Sequence, residues 1–174
     1  MQLLRNGLEL TFDSSRILRR LFLGKQLIEG TWLDLLKRGT DPVGYGFSRL
    51  EYDGSSVRLG GEDFLLDGTA QGHYQADLVE LEWPKIRYKY TYQSSADAGV
   101  SSQGYGEAQF IERDGPPTHY VGFFFDLVEG KRISFEGWRV TDRALLSELD
   151  DVAARRSAIV AYFAKYLERS SSSA

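Results

Sequence analysis

The sequence predicts a mainly β protein: an eight-stranded antiparallel up-and-down β-barrel, with a short helix before it and a helix after it. Three observations carry this. Turn residues punctuate the chain at near-regular intervals: Gly39-Thr40-Asp41-Pro42, Asp53-Gly54, Asp67-Gly68, Trp83-Pro84, the loop SSADAGVSSQG, Asp114-Gly115-Pro116-Pro117 and Glu129-Gly130. Glycine accepts positive φ, proline fixes φ, and aspartate bonds to its own turn. The segments between alternate in polarity as strands do, and the apolar residues near both ends fall at helical spacing instead.

Taken in order, Ile17, Leu18, Leu21 and Phe22 predict an amphipathic helix over 13–25, with Asp13 or Ser14 as N-cap and Gly24 as its stop. Strands are then predicted over 28–37, 43–52, 56–66, 71–83, 85–93, 102–113, 119–126 and 131–141. Such a meander removes its edges most simply by closing into a barrel, and eight strands enclose room for about one small ligand. A flattened sandwich without a lumen is the alternative. From Asp142 to Arg169 an apolar stripe including Leu145, Leu149, Ile159, Phe163 and Tyr166 predicts a helix packed on the barrel wall or over one end. The resulting organisation is an entry segment over 1–26, a ligand-binding barrel over 27–141, a helix over 142–169 and a disordered tail over 170–174.

Composition narrows the function. The chain has 174 residues, a formal net charge of −4, two histidines and no cysteine. One ordinary domain is expected, and the charge argues against binding bulk nucleic acid, which needs a basic face. Without cysteine there is no disulfide, thiolate metal site or cysteine nucleophile, which fits a reducing, cytoplasmic setting. Charges interrupt the apolar residues at the start, so neither a membrane span nor a signal peptide is expected there. His73 and His119 stand in no metal or nucleophile motif, and the Gly-Tyr-Gly triplets at 44–46 and 104–106 are too short for phosphate loops. The expectation is a binding protein rather than an enzyme, with no cofactor and no metal. Asp34, Asp63, Asp77, Glu107 and Asp126 are the carboxylates from which a lumenal pair would come.

The strand PKIRYKYTYQ holds the main candidates. Ile86, Tyr88, Tyr90 and Tyr92 share one face, opposite Arg87, Lys89 and Thr91. Facing inward, the tyrosines would meet the small positions Gly104, Gly106 and Ala108 of the next strand, giving either tight packing or space for a flat ligand. Tyr45 and Tyr105 are further ring candidates. Arg49, which shares parity with Tyr45 and Phe47, and Arg139, which shares it with Phe135 and Gly137, are the candidate anion clamps.

The runs IEGTWLDLL, VGYGFSRLEYDG, IRYKYTYQ, GYGEAQF, YVGFFFD and ISFEGWRV resemble the β-strand-rich domain of the SMODS-associating effector family. That family pairs this domain with two transmembrane segments in bacterial nucleotidyltransferase (CBASS-type) defence operons. The similarity covers 16–141, including RILRRLFLGKQ, which resembles the segment following the membrane helices. It implies a barrel that senses a cyclic dinucleotide or related cyclic oligonucleotide at the cytoplasmic face of the inner membrane, with homo-oligomer assembly as a possible output. The transmembrane pair is missing from this sequence, so membrane contact is expected only through a part that this chain lacks, or through another protein. Gly30-Thr31-Trp32 also resembles the Gly-x-Trp that opens the first strand of lipocalin-type barrels, where the tryptophan packs at the barrel end. Alternatives to the cyclic-nucleotide sensor are a lipocalin-like carrier of a small apolar ligand and a filled-barrel interaction scaffold.

Overall fold

The computed structural model describes residues 27–53, 56–97, 99–111, 115–126 and 130–171, so the expected helix over 13–25 lies outside the described residues. Eight strands run in order as β1 (Gly30–Arg38), β2 (Asp41–Asp53), β3 (Ser56–Leu65), β4 (Ala70–Glu82), β5 (Lys85–Ser94), β6 (Ser101–Phe110), β7 (His119–Asp126) and β8 (Lys131–Arg139). Each pairs antiparallel with the next, and β8 pairs with β1, from Trp32↔Arg139 to Lys37↔Ser134, to close the barrel.

Alternation divides each strand between lumen and exterior. On β1, Trp32, Asp34 and Leu36 point inward while Leu33 and Leu35 point out, and all five are buried. A strand buried on both faces needs a second layer, and two helices supply it. They are α1 (Arg143–Asp150) and α2 (Val152–Ser171), where the sequence predicted one continuous helix.

The break falls at Asp151, whose backbone is extended (φ −79°, ψ 111°). Its carboxylate accepts from the Ala153 amide at 2.9 Å, capping α2. Asp142 does the same for α1 by accepting from the amides of Ala144 and Leu145. Asp151, by capping α2, thus divides a stripe that is otherwise continuous. No helix among the described residues is long and apolar enough to cross a membrane.

Two cores result. Leu33, Leu35, Tyr45, Phe47 and Phe64 on the outer wall meet Leu149, Ile159 and Phe163 of the helices. Phe163 is wholly buried and stacks on Tyr45, with centroids 4.7 Å apart and planes 2° apart. Inside the barrel the second core closes one end. Trp32 packs against Phe110 and Tyr120 at 5.6 and 4.8 Å, and Trp83 stacks on Phe110 at 5.8 Å. The opposite end carries the β1–β2, β3–β4, β5–β6 and β7–β8 connections, and among the described residues the lumen opens there.

Candidate functional site in the barrel lumen

The lumen contains a cavity of about 660 Å³. This lies within the range of roughly 300–1,000 Å³ common for small-molecule sites. Its walls are tyrosine, phenylalanine and aliphatic side chains, and it opens past Arg38, Ser102 and Lys131.

Tyr88, Tyr90 and Tyr92 all line it, as the alternation of β5 predicts. Tyr88 stands opposite Gly106 and Tyr90 opposite Gly104 across the β5–β6 ladder, so large residues lie over positions with no side chain. The same device recurs around the wall, where the Tyr74 ring lies over Gly61, Tyr92 over Gly72 and Tyr120 over Gly137. The glycines let the rings lie flat along the wall instead of projecting across the lumen, which leaves the centre open. A Cβ at Gly104 would fall inside the Tyr90 ring and hydroxyl. Gly104→Ala should therefore displace Tyr90, break its hydroxyl's 3.0 Å bond to the Phe125 carbonyl and cost about 1–3 kcal/mol in urea unfolding. Gly99→Ala, where the nearest neighbour atom stands at 3.3 Å, serves as a control expected to stay within about 0.5 kcal/mol. Equal stability of the two variants would show that the ring-over-glycine packing has been misjudged.

The other sequence candidates lie elsewhere. Tyr45 is on the outer wall beneath Phe163. Arg49 is also outside. It pairs with Asp150 of α1 and lines an outer groove of about 860 Å³ with Glu62, His73 and Arg155. Tyr105 faces outward beside Phe123, at 6.3 Å. Arg139 has inward parity but sits at the closed end. There its guanidinium lies 5.7 Å from the Trp32 ring and donates to the backbone carbonyls of Leu27, Glu29 and Pro117. Gly30, at φ +148°, lets it approach, because a Cβ there would stand 3.1 Å from the guanidinium. Arg139 thus seals the barrel floor together with Trp32, the tryptophan of the Gly-Thr-Trp stretch. The clamp expected from Arg49 and Arg139 is not assembled, since one lies on the outer wall and the other is committed to backbone carbonyls.

Five carboxylates were candidates for a lumenal pair, and the structure brings two of them to the cavity, Asp34 and Asp63. Asp34 on β1 accepts from the Tyr120 hydroxyl at 2.5 Å and from the Ser48 hydroxyl at 3.1 Å. Burial raises its pKa to about 6 against the opposing pull of those two bonds. Asp63 on β3 is raised to about 7, first by burial and then by the Asp34 charge, and no hydrogen bond from a described residue offsets this. Asp77 points outward to the Thr91 hydroxyl, and Glu107 pairs outside with Lys85 and Arg87. Asp126 ends β7, and its side chain lies outside what is described. His119 stacks on Trp138 outside the barrel and contacts Glu136 at 3.0 Å.

The sequence reasoning passed over Ser48, Tyr74 and Tyr120, which complete the polar part of the lumen. Tyr74 was recoverable in principle, because it shares a strand face with the small residues Gly72 and Ala76. Ser48 and Tyr120 meet Asp34 only through barrel closure. No grouping of three or more histidine, aspartate or glutamate side chains suited to a metal occurs among the described residues.

No protein-family model matches this chain, and no curated protein matches it in sequence.

Proposed function

We propose that the barrel is a receptor for one small, largely apolar ligand held in the lumen, in the manner of a lipocalin-like binding protein and not of an enzyme. The observation that carries this reading is the open, aromatic-lined cavity above a sealed floor. A scaffold barrel would fill its centre. Here the tyrosines lie along the wall on glycines, and the space they leave is continuous with the mouth.

A second reading, the cyclic-nucleotide sensor of a defence system, draws support from the tyrosine rings and from Arg38 and Lys131 at the rim. Rings of this kind stack on bases for roughly 1–3 kcal/mol each, and rim cations would meet phosphates there. Against it stand Asp34 and Asp63, because a dianion pushed deep into this lumen meets carboxylates and, among the described residues, no interior arginine.

Titration with neutral N-phenyl-1-naphthylamine, read by fluorescence, tests the first reading. Saturation at one probe per chain, weakened at least tenfold by Ser102→Trp at the mouth or Ala108→Leu in the wall, is the expected result. Calorimetry with cyclic di- and trinucleotides, and with linear dinucleotides as controls, tests the second. Saturable binding of a cyclic member that also displaces the probe would move the assignment to a nucleotide sensor. Failure of every probe to saturate would leave the scaffold reading.

A further inference from the structure

We propose that the lumen selects a ligand carrying a protonated amine on an apolar, preferably aromatic body, with the ammonium at Asp63 and Asp34 and the body among the tyrosines. This deepens the receptor reading and rests on it.

The charges inside the cavity are the first argument. Among the described residues, the cationic side chains along it are Arg38 and Lys131, both exposed at the mouth, while both carboxylates lie on its wall. An anion would be drawn to the rim and repelled further in. A cation that passes the rim finds the reverse.

The second argument is hydrogen bonding. Asp34 already accepts from Tyr120 and Ser48, so its own needs are met within the fold. Asp63 has no such donor among the described residues, although it borders the same cavity. Asp63 is only partly exposed, so its carboxylate, bordering the cavity, is left for a ligand or water to satisfy. An ammonium brings three donors and the missing positive charge.

The third argument is the wall itself. Tyr74, Tyr88 and Tyr90 are neighbours, with ring centroids 5.9 Å apart for Tyr74 and Tyr90 and 6.0 Å apart for Tyr88 and Tyr90. Ring faces attract a cation electrostatically when they lie within about 6 Å of it. A lumen meant only for hydrocarbon has no use for two carboxylates, whereas an amine uses both features at once.

Proton exchange should accompany binding. The titratable groups facing the two carboxyls are Tyr74, Tyr88 and Tyr120, with Arg38 and Lys131 at the rim, and the tyrosine hydroxyls are held neutral by burial. The ammonium must therefore displace protons held by the carboxyls. Affinity for an amine should rise as pH climbs through 6 to 7, where Asp34 and Asp63 give up those protons.

The test uses three indoles of one shape and different charge: tryptamine, neutral tryptophol and anionic indole-3-acetate, titrated calorimetrically into the full chain at pH 7.5. Tryptamine is expected to bind at least tenfold more tightly than tryptophol, and indole-3-acetate more weakly than either. Asp63→Asn should erase the tryptamine advantage while leaving tryptophol affinity within about threefold. Should that variant fold poorly, Asp34→Asn, which keeps an acceptor for Tyr120, is expected to reduce the advantage as well. Repeating the wild-type titration at pH 5.5 should shrink it at least threefold. Equal binding of tryptamine and tryptophol, or an advantage that survives both substitutions, would overturn the proposal. If all three indoles fail while the naphthyl probe still saturates, the amine selectivity is wrong and the receptor reading stands. If the naphthyl probe fails too, both are wrong.

Discussion

Trp32→Ala is expected to lower the unfolding free energy by about 3–5 kcal/mol, the range for removing a fully buried large aromatic side chain. Trp32 is wholly inaccessible, and its indole Nε1 donates to the Ile28 carbonyl at 3.1 Å. Its ring packs against Phe110, Tyr120 and the Arg139 guanidinium. Alanine would leave a void at the barrel floor that its neighbours cannot collapse into, because the closed sheet fixes their spacing. Ile28 would also keep a buried carbonyl with no donor. Domains are ordinarily stable by only about 5–15 kcal/mol, so this single change removes a large share. Urea unfolding at 25 °C measures it, with Trp32→Phe as the milder control that keeps a ring but loses the Ile28 bond. A loss under about 1 kcal/mol for the alanine variant would mean that the floor is not what holds the barrel shut.

How much of this was legible beforehand depends on the range of the interaction involved. Strand count, strand limits and the inward tyrosines follow from local alternation and turn chemistry, and the closed meander has the form those signals predict. Alternation also places Tyr105 outside, because it lies between two glycines that face the tyrosines. A stretch of the form Gly-Tyr-Gly draws attention to its ring when the glycines are the lumenal residues. Tyr45 and Arg49 show a different limit. Between Gly44 and Ser48 of β2 the bulky residues Tyr45 and Phe47 lie on the face toward the helices, while the lumenal face takes Gly44, Gly46 and Ser48, so size alone misleads on a stretch covered on both sides. Pairing of Asp34 with Tyr120 joins residues 86 positions apart. It depends on which strand closes against which and in what register, and no local pattern carries that information. Arg139 is the subtler case. Parity correctly turns it inward, but its height along the barrel puts it on the floor among backbone carbonyls, far from the mouth.

Stability is expected to fall as pH rises from about 4.5 to 8, the reverse of what paired surface carboxylates produce. The ordinary aspartate value is 3.8, and the fold raises Asp34 to about 6 and Asp63 to about 7. Between pH 4 and 7 the folded protein therefore holds protons that the unfolded chain has released. Where the native state binds more protons, stability decreases with rising pH. The contribution is fully present below the unfolded value and is gone once pH has passed the folded values. The two groups are coupled and Asp63 meets water in the open cavity, so their joint effect is set at about 3 kcal/mol rather than at the sum of two full shifts. Glu107, Glu136 and Asp67 act in the opposite sense. Arg87 and then Lys85 hold Glu107 low. Burial of Glu136 is outweighed by Lys37 and His119, and hydrogen bonding from Thr69 lowers Asp67. Their stabilisation is lost only as pH falls through their lowered values, below the window in question, so the profile should peak near the acid end and decline toward neutrality. Urea midpoints taken at intervals from pH 4.5 to 8 would show this, and Asp63→Asn should flatten the decline and raise stability at pH 8. A flat or rising wild-type profile would show that the lumen solvates its carboxylates well. That result would also weaken the case for an amine ligand, because a bound cation is expected to recover at high pH the stability that the two unneutralised charges remove.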